Sequence, residues 1–288
     1  MSSLTKRLYS YGFLLPAGII YLLFFLLPTL MSFFFSMTRW TLMDWEFIGF
    51  ENFVMFFEES SLNIGFRNTL VYAVLTSGLK VLLGLVAGTL LTTSIKSRHF
   101  LRSVVYFPNL LSTIAVGITF GSMMHPSTGL INVALSKIGI DGPDWLGNVD
   151  IALLSVVGVD VWKGVGMATV IYIAGIMSIP RQYYEALGID GGNAWQKFLH
   201  ITLPLCRPAM NSVIVLSFIG GLRSFDLIWA MTKGGPGFAT DVIASIIYKQ
   251  YQGGFYGLST AGNVLLFLAV SILAMPLYRA LNRREVDL

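Results

Sequence analysis

Residues 151–177 read IALLSVVGVDVWKGVGMATVIYIAGIM, and residues 178–208 continue as SIPRQYYEALGIDGGNAWQKFLHITLPLCRP before another apolar run begins. The first run is long enough to cross a hydrocarbon core of about 30 Å, which needs roughly 20 apolar residues in a helix. The second stretch is polar and has prolines at both ends. This alternation predicts a membrane-spanning helix followed by a structured element in water.

The composition of the whole chain indicates a bilayer protein. Of its 288 residues, 12% are charged and 55% are hydrophobic, whereas a soluble domain averages about a quarter charged. Because backbone polar groups in lipid must bond within their own segment, long apolar runs are expected to be helices. We therefore expect an all-α integral membrane protein, a single transmembrane domain over residues 1–288 with about six transmembrane helices. The apolar runs fall at 12–37, 69–94, 104–124, 151–177, 209–231 and 262–281.

The charged residues predict the orientation, because Lys and Arg concentrate in cytoplasmic loops. A six-helix arrangement puts most basic residues on one side and most loop acids on the other. Both termini are therefore expected in the cytoplasm, and the net charge of +4 needs no nucleic acid to explain it. The basic side holds Lys6, Arg7, Lys96, Arg98, Arg102, Arg181, Lys197, Arg207, Arg279, Arg283 and Arg284. The acidic side holds Asp44, Glu46, Glu51, Glu58, Glu59, Asp141, Asp144 and Asp150.

Motifs for catalysis and metal binding are missing from the sequence. There is no G-x-x-x-x-G-K-[ST] phosphate loop and no H-E-x-x-H. The single Cys206 excludes an internal disulfide, and His99, His125 and His200 lie far apart. We expect no enzyme activity, no metal and no ATP hydrolysis by this chain.

The polar stretch contains two short segments that favour helix, YYEAL and NAWQKFLHI, separated by glycines. Asn193 is placed to cap the second one. Two short helices between prolines would form a compact projection that docks on a soluble partner. An amphipathic helix lying on the membrane surface is the alternative, and composition leaves both open.

The exact residues of this stretch resemble the EAA motif of binding-protein-dependent ABC importer permeases, E-A-A-x-x-D-G-A-x5-F-x-x-I-x-L-P. Leu187 and Gly192 depart from it, since both stand where alanine is usual. The positions that match in order and spacing are Glu185, Ala186, Asp190, Gly191, Phe198, Ile201, Leu203 and Pro204.

Three further segments resemble the carbohydrate-uptake branch of these permeases, which includes the maltose and glycerol-3-phosphate systems. They are FIGFENF at 47–53, the third apolar run with its following loop at 106–132, and the segment around TKGGP at 225–252. The resemblance covers most of the chain. It implies the fold of a type I ABC importer permease that takes up a sugar or related polar solute.

The resemblance also implies partners. Residues 181–204, hereafter the coupling segment, would dock on a nucleotide-binding subunit through Glu185, Ala186, Asp190 and Gly191. The assembly would contain a second homologous permease, two ATPase subunits that bind ATP and Mg, and an extracytoplasmic solute-binding protein, in a prokaryotic cell membrane. A glycerol phosphate or polyol permease is an alternative. A stand-alone secondary transporter would need inverted repeats, which the sequence does not show.

Polar residues inside the apolar runs are candidates for a solute path, because ionisable groups in lipid usually face a cavity or a partner. Asp160 with Lys163, and Arg223 with Asp226, are spaced i, i+3, which predicts that each pair shares one helical face. A local ion pair and a polar wall of the path both fit each pair. Lys80 is a further intramembrane charge, Trp162 and Trp229 offer aromatic faces to a sugar, and Asn109, Ser112 and Asn263 offer uncharged hydrogen bonds.

Overall fold

The structure is a computed structural model that describes residues 11–41, 43–59 and 61–283. The predicted basic residues Lys6, Arg7 and Arg284 lie outside the described residues. Internal contacts divide the chain into two compact units. The first contains residues 1–59 and 247–265, and the second contains residues 60–246 and 266–288.

The first unit begins with an apolar helix that buries none of its most apolar stretch within the chain. A small antiparallel hairpin follows, in which Arg39 pairs with Glu46, and the sequence analysis had not predicted it. Buried Asn52 donates hydrogen bonds to the carbonyls of Ser36 and Thr38 at 2.9 and 2.8 Å, which fixes the hairpin to the end of the helix. The elements are α1 (Gly12–Phe35), β1 (Thr38–Trp40), β2 (Trp45–Phe47) and α2 (Glu51–Glu58).

The described residues of the second unit form helices joined by turns and loops, without a strand. Two of its helices, α12 and α13, also supply residues to the first unit. The elements are α3 (Leu62–Thr92), α4 (Arg98–Leu110), α5 (Thr113–Met123), α6 (Leu130–Ser136), α7 (Ala152–Met177), α8 (Arg181–Ile189), α9 (Ala194–Leu205), α10 (Arg207–Leu222), α11 (Asp226–Thr232), α12 (Ile243–Gln252) and α13 (Tyr256–Asn282).

Four described helices, α1, α3, α7 and α13, are long and apolar enough to cross a membrane alone, and the number rises to six if each of two bent pairs is one span. The predicted third span is not one straight helix. It bends by 94° between α4 and α5, because Leu111 and Ser112 adopt extended backbone with ψ of 145° and 130°. The predicted fifth span at 209–231 is also interrupted, since α10 ends at Leu222 and α11 begins at Asp226.

Helices α3 and α7 pack together through small residues. A Cβ placed on Gly84 would lie 2.7 Å from the Cβ of Ala168, and one on Gly88 would lie 2.7 Å from the Cβ of Tyr172. Only glycine allows two backbones to come this close, as at other small-residue contacts between membrane helices. The contacts advance by four residues on both helices in the same direction, so α3 and α7 run parallel.

The parallel packing decides how the chain between these helices crosses the membrane. Each of α3 and α7 is long enough to span, and each starts on the same side. The connection from 93 to 151 must therefore return across the bilayer once. We infer that the bent pair of α4 and α5 is a single broken span, because it is the part of this connection with the required length and apolarity.

Helix α10 runs antiparallel to both of these helices. Gly221 lies against Ala73 near the start of α3, whereas Gly175 near the end of α7 lies against Ala209. The Asn211 side chain donates to the Leu281 carbonyl at 3.3 Å, which brings the end of α13 to the same place. One end of the second unit, hereafter the basic end, thus gathers residues that sequence analysis assigned to one side: Lys96, Arg98, Arg102, Arg181, Lys197, Arg207, Arg279 and Arg283.

Besides a small apolar cluster around Tyr172 and Cys206, the second unit has a larger apolar core toward the other end, where α3, α7 and α11 meet. Buried Asn68 of α3 donates to the carbonyls of Ala239 and Asp241, both at 2.9 Å, and so fixes the Gly/Pro turn that follows α11. The largest fully buried side chains of this core are Tyr72, Val156, Leu227 and Ile228.

Replacing Gly88 tests the helix contact. Gly88→Ala is expected to destabilise the protein by about 1–3 kcal/mol, because the new methyl group would lie too close to the Cβ of buried Tyr172. The thermal unfolding midpoint in detergent measures the effect. Gly78→Ala, on the same helix, is the matched control, since nothing lies within 4 Å of a Cβ at that position. Equal unfolding midpoints for the two variants would contradict the close contact between α3 and α7 at Gly88.

Candidate functional site

The first half of the coupling segment is α8, which ends in a tight glycine turn. The Gly192 amide donates to the Leu187 carbonyl at 2.8 Å, and the Gly191 amide donates to the Gly188 carbonyl at 3.2 Å. Gly191 has a φ of +78°, a conformation that side chains rarely adopt. This hydrogen-bond pattern is the Schellman motif, which satisfies the last carbonyls of a helix and sets the exit direction of the chain.

The second half of the coupling segment begins with a capping box. The Gln196 amide donates to the Asn193 side chain at 2.9 Å, and the Asn193 amide donates to the Gln196 side chain at 2.8 Å. The predicted cap at Asn193 is confirmed. The hydroxyls of Tyr184 and Thr202 lie 3.0 Å apart and tie the two halves together. The coupling segment is therefore a pair of helices joined by the turn at Gly191 and by the hydrogen bond between Tyr184 and Thr202.

The two departures from the EAA pattern touch each other. A Cβ on Gly192 would lie 2.5 Å from Cγ of Leu187 and 2.8 Å from its carbonyl oxygen. The larger side chain at 187 thus occupies space that alanine at 192 would need. Sequence reasoning found both departures, but their contact depends on the turn geometry.

The outer surface of the coupling segment combines carboxylates with exposed apolar side chains. Glu185, Ala186 and Asp190 are exposed. In the same segment Ile189 is 88% exposed and Trp195 is 66% exposed. Large apolar side chains left exposed among charged residues are typical of a protein interaction site.

Inside the second unit the structure pairs Asp160 with Lys80 of α3 and not with Lys163 of its own helix. Lys80 Nζ lies 2.7 Å from Asp160 Oδ2, and the two side chains are only 12% and 21% exposed. Asp160 and Lys163 both lie in the uninterrupted helix α7, as the i, i+3 spacing requires, but the local ion pair, one of the two interpretations left open, is not formed among the described residues. The carboxylate faces the neighbouring helix α3, and Lys80 reaches it across Gly164, where a Cβ would lie 2.6 Å from the lysine Cε.

The Asp160 carboxylate has further polar neighbours besides Lys80. The buried Tyr72 hydroxyl lies close to Asp160 and to Ser224, although it forms no hydrogen bond of standard geometry. Sequence analysis missed Tyr72, Gly164 and Ser224 as parts of this cluster. Their only sequence signal was that they are polar or small residues in apolar runs.

The prediction that Arg223 and Asp226 share one helical face is wrong. Arg223 follows the last residue of α10, and Asp226 is the first residue of α11. Phe225 between them has φ of −139° and ψ of −58°, which interrupts the helix. Both charged side chains are exposed, and neither belongs to an ion pair among the described residues.

The remaining path candidates occupy separate places. Trp162 packs on Phe120 with ring centroids 5.1 Å apart, and Trp229 stacks on Phe225 at 5.6 Å. Half-buried Asn109 and exposed Ser112 flank the bend between α4 and α5. Asn263 belongs to the first unit, where its amide donates to the Ser259 carbonyl at 3.3 Å. Among the described residues, no group of three metal-ligating side chains occurs.

Comparison with known proteins gives a consistent result. Residues 80–286 match the family described as binding-protein-dependent transport system inner membrane component. The chain is 33% identical to the trehalose/maltose transport system permease protein MalF of Thermococcus litoralis, covering 90% of this chain and 89% of that protein. It is 30% identical to the arabinooligosaccharides transport system permease protein AraP of Bacillus subtilis, covering 95% and 89%.

A solved structure shares the fold. A chain of a bacterial alginate ABC transporter, crystallised with an alginate pentasaccharide-bound periplasmic protein, superimposes with a TM-score of 0.81. The two sequences are 26% identical, and the match covers 95% of this chain and 92% of that one.

Removing one partner of the buried ion pair tests the geometry of the Asp160 site. Lys80→Met is expected to destabilise the protein by about 3 kcal/mol, because it leaves a carboxylate buried without its counter-charge. The double variant Lys80→Met/Asp160→Asn should regain most of this loss. Thermal unfolding in detergent provides the measurement. Lys163→Met serves as control. A larger destabilisation by Lys163→Met than by Lys80→Met would show that Asp160 pairs with Lys163 within α7.

Proposed function

The chain belongs to the binding-protein-dependent transport system inner membrane components, and on this premise we propose that it is a permease subunit of an ABC importer for sugars. With a second, homologous permease it forms the path for a sugar or related polar solute that an external binding protein delivers. Two ATPase subunits supply ATP hydrolysis and bind ATP and Mg. The chain itself is a multi-pass membrane protein.

The observation that carries this proposal is the structure of the coupling segment. Its chain turns tightly at Gly191, and a hydrogen bond between Tyr184 and Thr202 joins its two helices. Glu185 and Ile189 are exposed on its surface. An element with this construction transmits rigid-body motion from a docked partner to the helices that continue from it. Those helices are α7 before it and α10 after it.

The placement of charge supports a cytoplasmic docking side. The coupling segment lies at the basic end of the second unit, and Lys and Arg mark the cytoplasmic side of membrane proteins. In our proposal the ATPase subunits bind there, and the loop acids Asp141, Asp144 and Asp150 face the binding protein outside.

The relatives support sugar as the solute class, because they are named as permeases for trehalose/maltose and for arabinooligosaccharides. The structural neighbour is a transporter for alginate, an acidic polysaccharide. A glycerol phosphate or polyol remains the second candidate through the resemblance of the sequence, and Arg223 is the residue that would attract a phosphate.

For the path itself we propose the surface around the break between α10 and α11. Charged side chains facing lipid cost roughly 2.5–3.5 kcal/mol each. The exposure of Arg223 and Asp226 therefore favours a surface that faces a water-filled path or the second permease. Trp162 and Trp229 would add aromatic faces, and Asn109, Ser112 and Lys163 would add polar groups. Asn263, which belongs to the first unit, stays a separate candidate for the path. Asp160 is assigned to the ion pair with Lys80.

Reversing one exposed charge tests the coupling role. Glu185→Lys is expected to reduce sugar uptake in reconstituted vesicles by at least about tenfold, since one reversed contact in a docked interface costs more than 1.4 kcal/mol. The protein should still fold, because Glu185 is exposed and belongs to no ion pair in the described part of the chain. Sugar-stimulated ATP hydrolysis by the assembled transporter is measured in parallel.

Glu58→Lys is the matched control, as an exposed carboxylate far along the chain from the coupling segment. It should retain uptake and ATP hydrolysis. Wild-type uptake by Glu185→Lys, with normal stimulation of ATP hydrolysis, would end the assignment of this segment.

The contact between Leu187 and Gly192 provides an independent test. Gly192→Ala is expected to weaken sugar-stimulated ATP hydrolysis about tenfold, because overpacking by 1–2 kcal/mol distorts the turn. Adding Leu187→Ala removes the side-chain part of the clash and should recover part of the activity. The carbonyl contact at 2.8 Å remains, so recovery is incomplete.

Gly188→Ala is the control on the same helix, since a Cβ there would meet only the flexible end of Lys197, at 3.4 Å. It should leave the activity unchanged. If Gly192→Ala is harmless with leucine at 187, the turn does not set the angle between the two helices.

A further inference from the structure

Tyr72 of α3 lies at the junction of three elements of the second unit. Its side chain is fully buried and belongs to one apolar cluster with Leu227 and Ile228, which follow the break between α10 and α11. Before the break, Gly221 of α10 lies so close to α3 that a Cβ there would be 2.6 Å from the Cα of Ala73. The chain on both sides of the break therefore packs against α3 around Tyr72.

On the side of α7, the Asp160 carboxylate lies close to both Lys80 and Tyr72. Tyr72, Thr76 and Lys80 are spaced by four residues, so they share one face of α3. Lys80 holds the carboxylate at 2.7 Å, and the Tyr72 hydroxyl also lies close to it. Buried Thr76, between them on α3, donates its own hydroxyl to the Tyr72 carbonyl at 2.8 Å. The Tyr72 hydroxyl is therefore placed to donate to a carboxylate that Lys80 holds in position.

The Tyr72 hydroxyl has a second polar neighbour, the hydroxyl of Ser224 in the break. No described residue gives the Tyr72 hydroxyl a hydrogen bond of standard geometry. A buried hydroxyl without a partner is unfavourable, so a movement that pairs it is favoured. Ser224 belongs to the non-helical segment between α10 and α11, and such segments change their backbone dihedrals without loss of helical hydrogen bonds.

The break also carries the two exposed charges of the proposed path. Arg223 directly precedes Ser224, and Asp226 follows it by two residues. A movement of Ser224 toward Tyr72 or away from it therefore moves both charged side chains. Because the ion pair with Lys80 fixes Asp160 between α3 and α7, this carboxylate is a fixed point against which the break is positioned.

We propose that Tyr72 is a positioning residue of the solute path and acts as a hydrogen-bond switch. In one position of the break its hydroxyl donates to the Asp160 carboxylate and accepts from the Ser224 hydroxyl. In the position described above it bonds neither. The hydroxyl shifts the balance toward the bonded position about fivefold, the effect of one hydrogen bond. It thus controls where Arg223 and Asp226 lie, and this inference rests on the path proposed above.

Tyr72→Phe removes the hydroxyl and keeps the ring. The assembled transporter is reconstituted in vesicles, with radiolabelled maltose as the probe sugar. The turnover rate of uptake should fall about fivefold, whereas the KM for the maltose-loaded binding protein should stay within about twofold. The thermal unfolding midpoint in detergent should not fall, because the hydroxyl that is lost has no partner among the described residues. A tyrosine with a merely structural role would lower the midpoint instead.

Tyr172→Phe is the matched control. Tyr172 is also fully buried, and its hydroxyl also has no hydrogen bond among the residues that the structure describes. It lies on α7 in the small apolar cluster with Cys206 and Val213, away from the break. Its substitution should leave both the turnover rate and the unfolding midpoint unchanged.

The second partner of the switch is tested by Ser224→Ala, which should lower the turnover rate by about the same factor as Tyr72→Phe. The double variant should be no slower than either single variant, because both substitutions remove the same contact. Three results would overturn the proposal. They are multiplied effects in the double variant, wild-type uptake by Tyr72→Phe, and a lowered unfolding midpoint of Tyr72→Phe together with reduced uptake.

A further readout does not depend on the transport of any sugar. Arg223→Cys places a thiol beside Ser224, and the native Cys206 is buried. The rate at which a charged maleimide alkylates position 223 in the assembled transporter should change about fivefold when Tyr72→Phe is added. It should not change with Tyr172→Phe.

This labelling separates the switch from the proposed function. If the wild type takes up no sugar while the alkylation rate still responds to Tyr72→Phe, the result contradicts the proposed function and supports the switch. An alkylation rate that is the same with and without the Tyr72 hydroxyl would overturn the switch, whatever the transporter carries.

Discussion

The close contact of α3 with α7 is the constraint on which the second unit depends. Gly84 and Gly88 let two long helices touch backbone to backbone while running in the same direction. Parallel neighbours that both span a bilayer require one crossing between them, so the bent α4–α5 pair becomes a broken span. The antiparallel α10 and the end of α13 then follow. Together they place the coupling segment and eight basic residues at one end.

Hydrogen bonds made by backbone amides fix the turn and the second helix of the coupling segment. The Schellman turn at Gly191 and the capping box at Asn193 satisfy the groups that two short helix ends would otherwise leave unpaired. The hydrogen bond between the hydroxyls of Tyr184 and Thr202 also joins the two helices to each other. In our proposal, a partner that pushes on Ile189 or Glu185 acts on the helices at both ends of the segment, α7 and α10.

The intramembrane charges are accommodated in two different ways. Lys80 and Asp160 are mostly buried and neutralise each other between neighbouring helices. Arg223 and Asp226 instead stay exposed at a helix break. The first arrangement holds the unit together, whereas the second requires water or another subunit beside it.

Sequence alone determined the membrane class, the number of apolar segments and the EAA pattern, because length, hydropathy and residue order carry these properties directly. It also found the cap at Asn193, which depends on neighbours three residues away. The partner of Asp160, the 94° bend and the contact between Leu187 and Gly192 needed the tertiary structure. An i, i+3 spacing shows only that two residues share a helical face if the helix continues, and it says nothing of a lysine 80 residues earlier. Such pairings arise only after helices have packed, so the fold decided them.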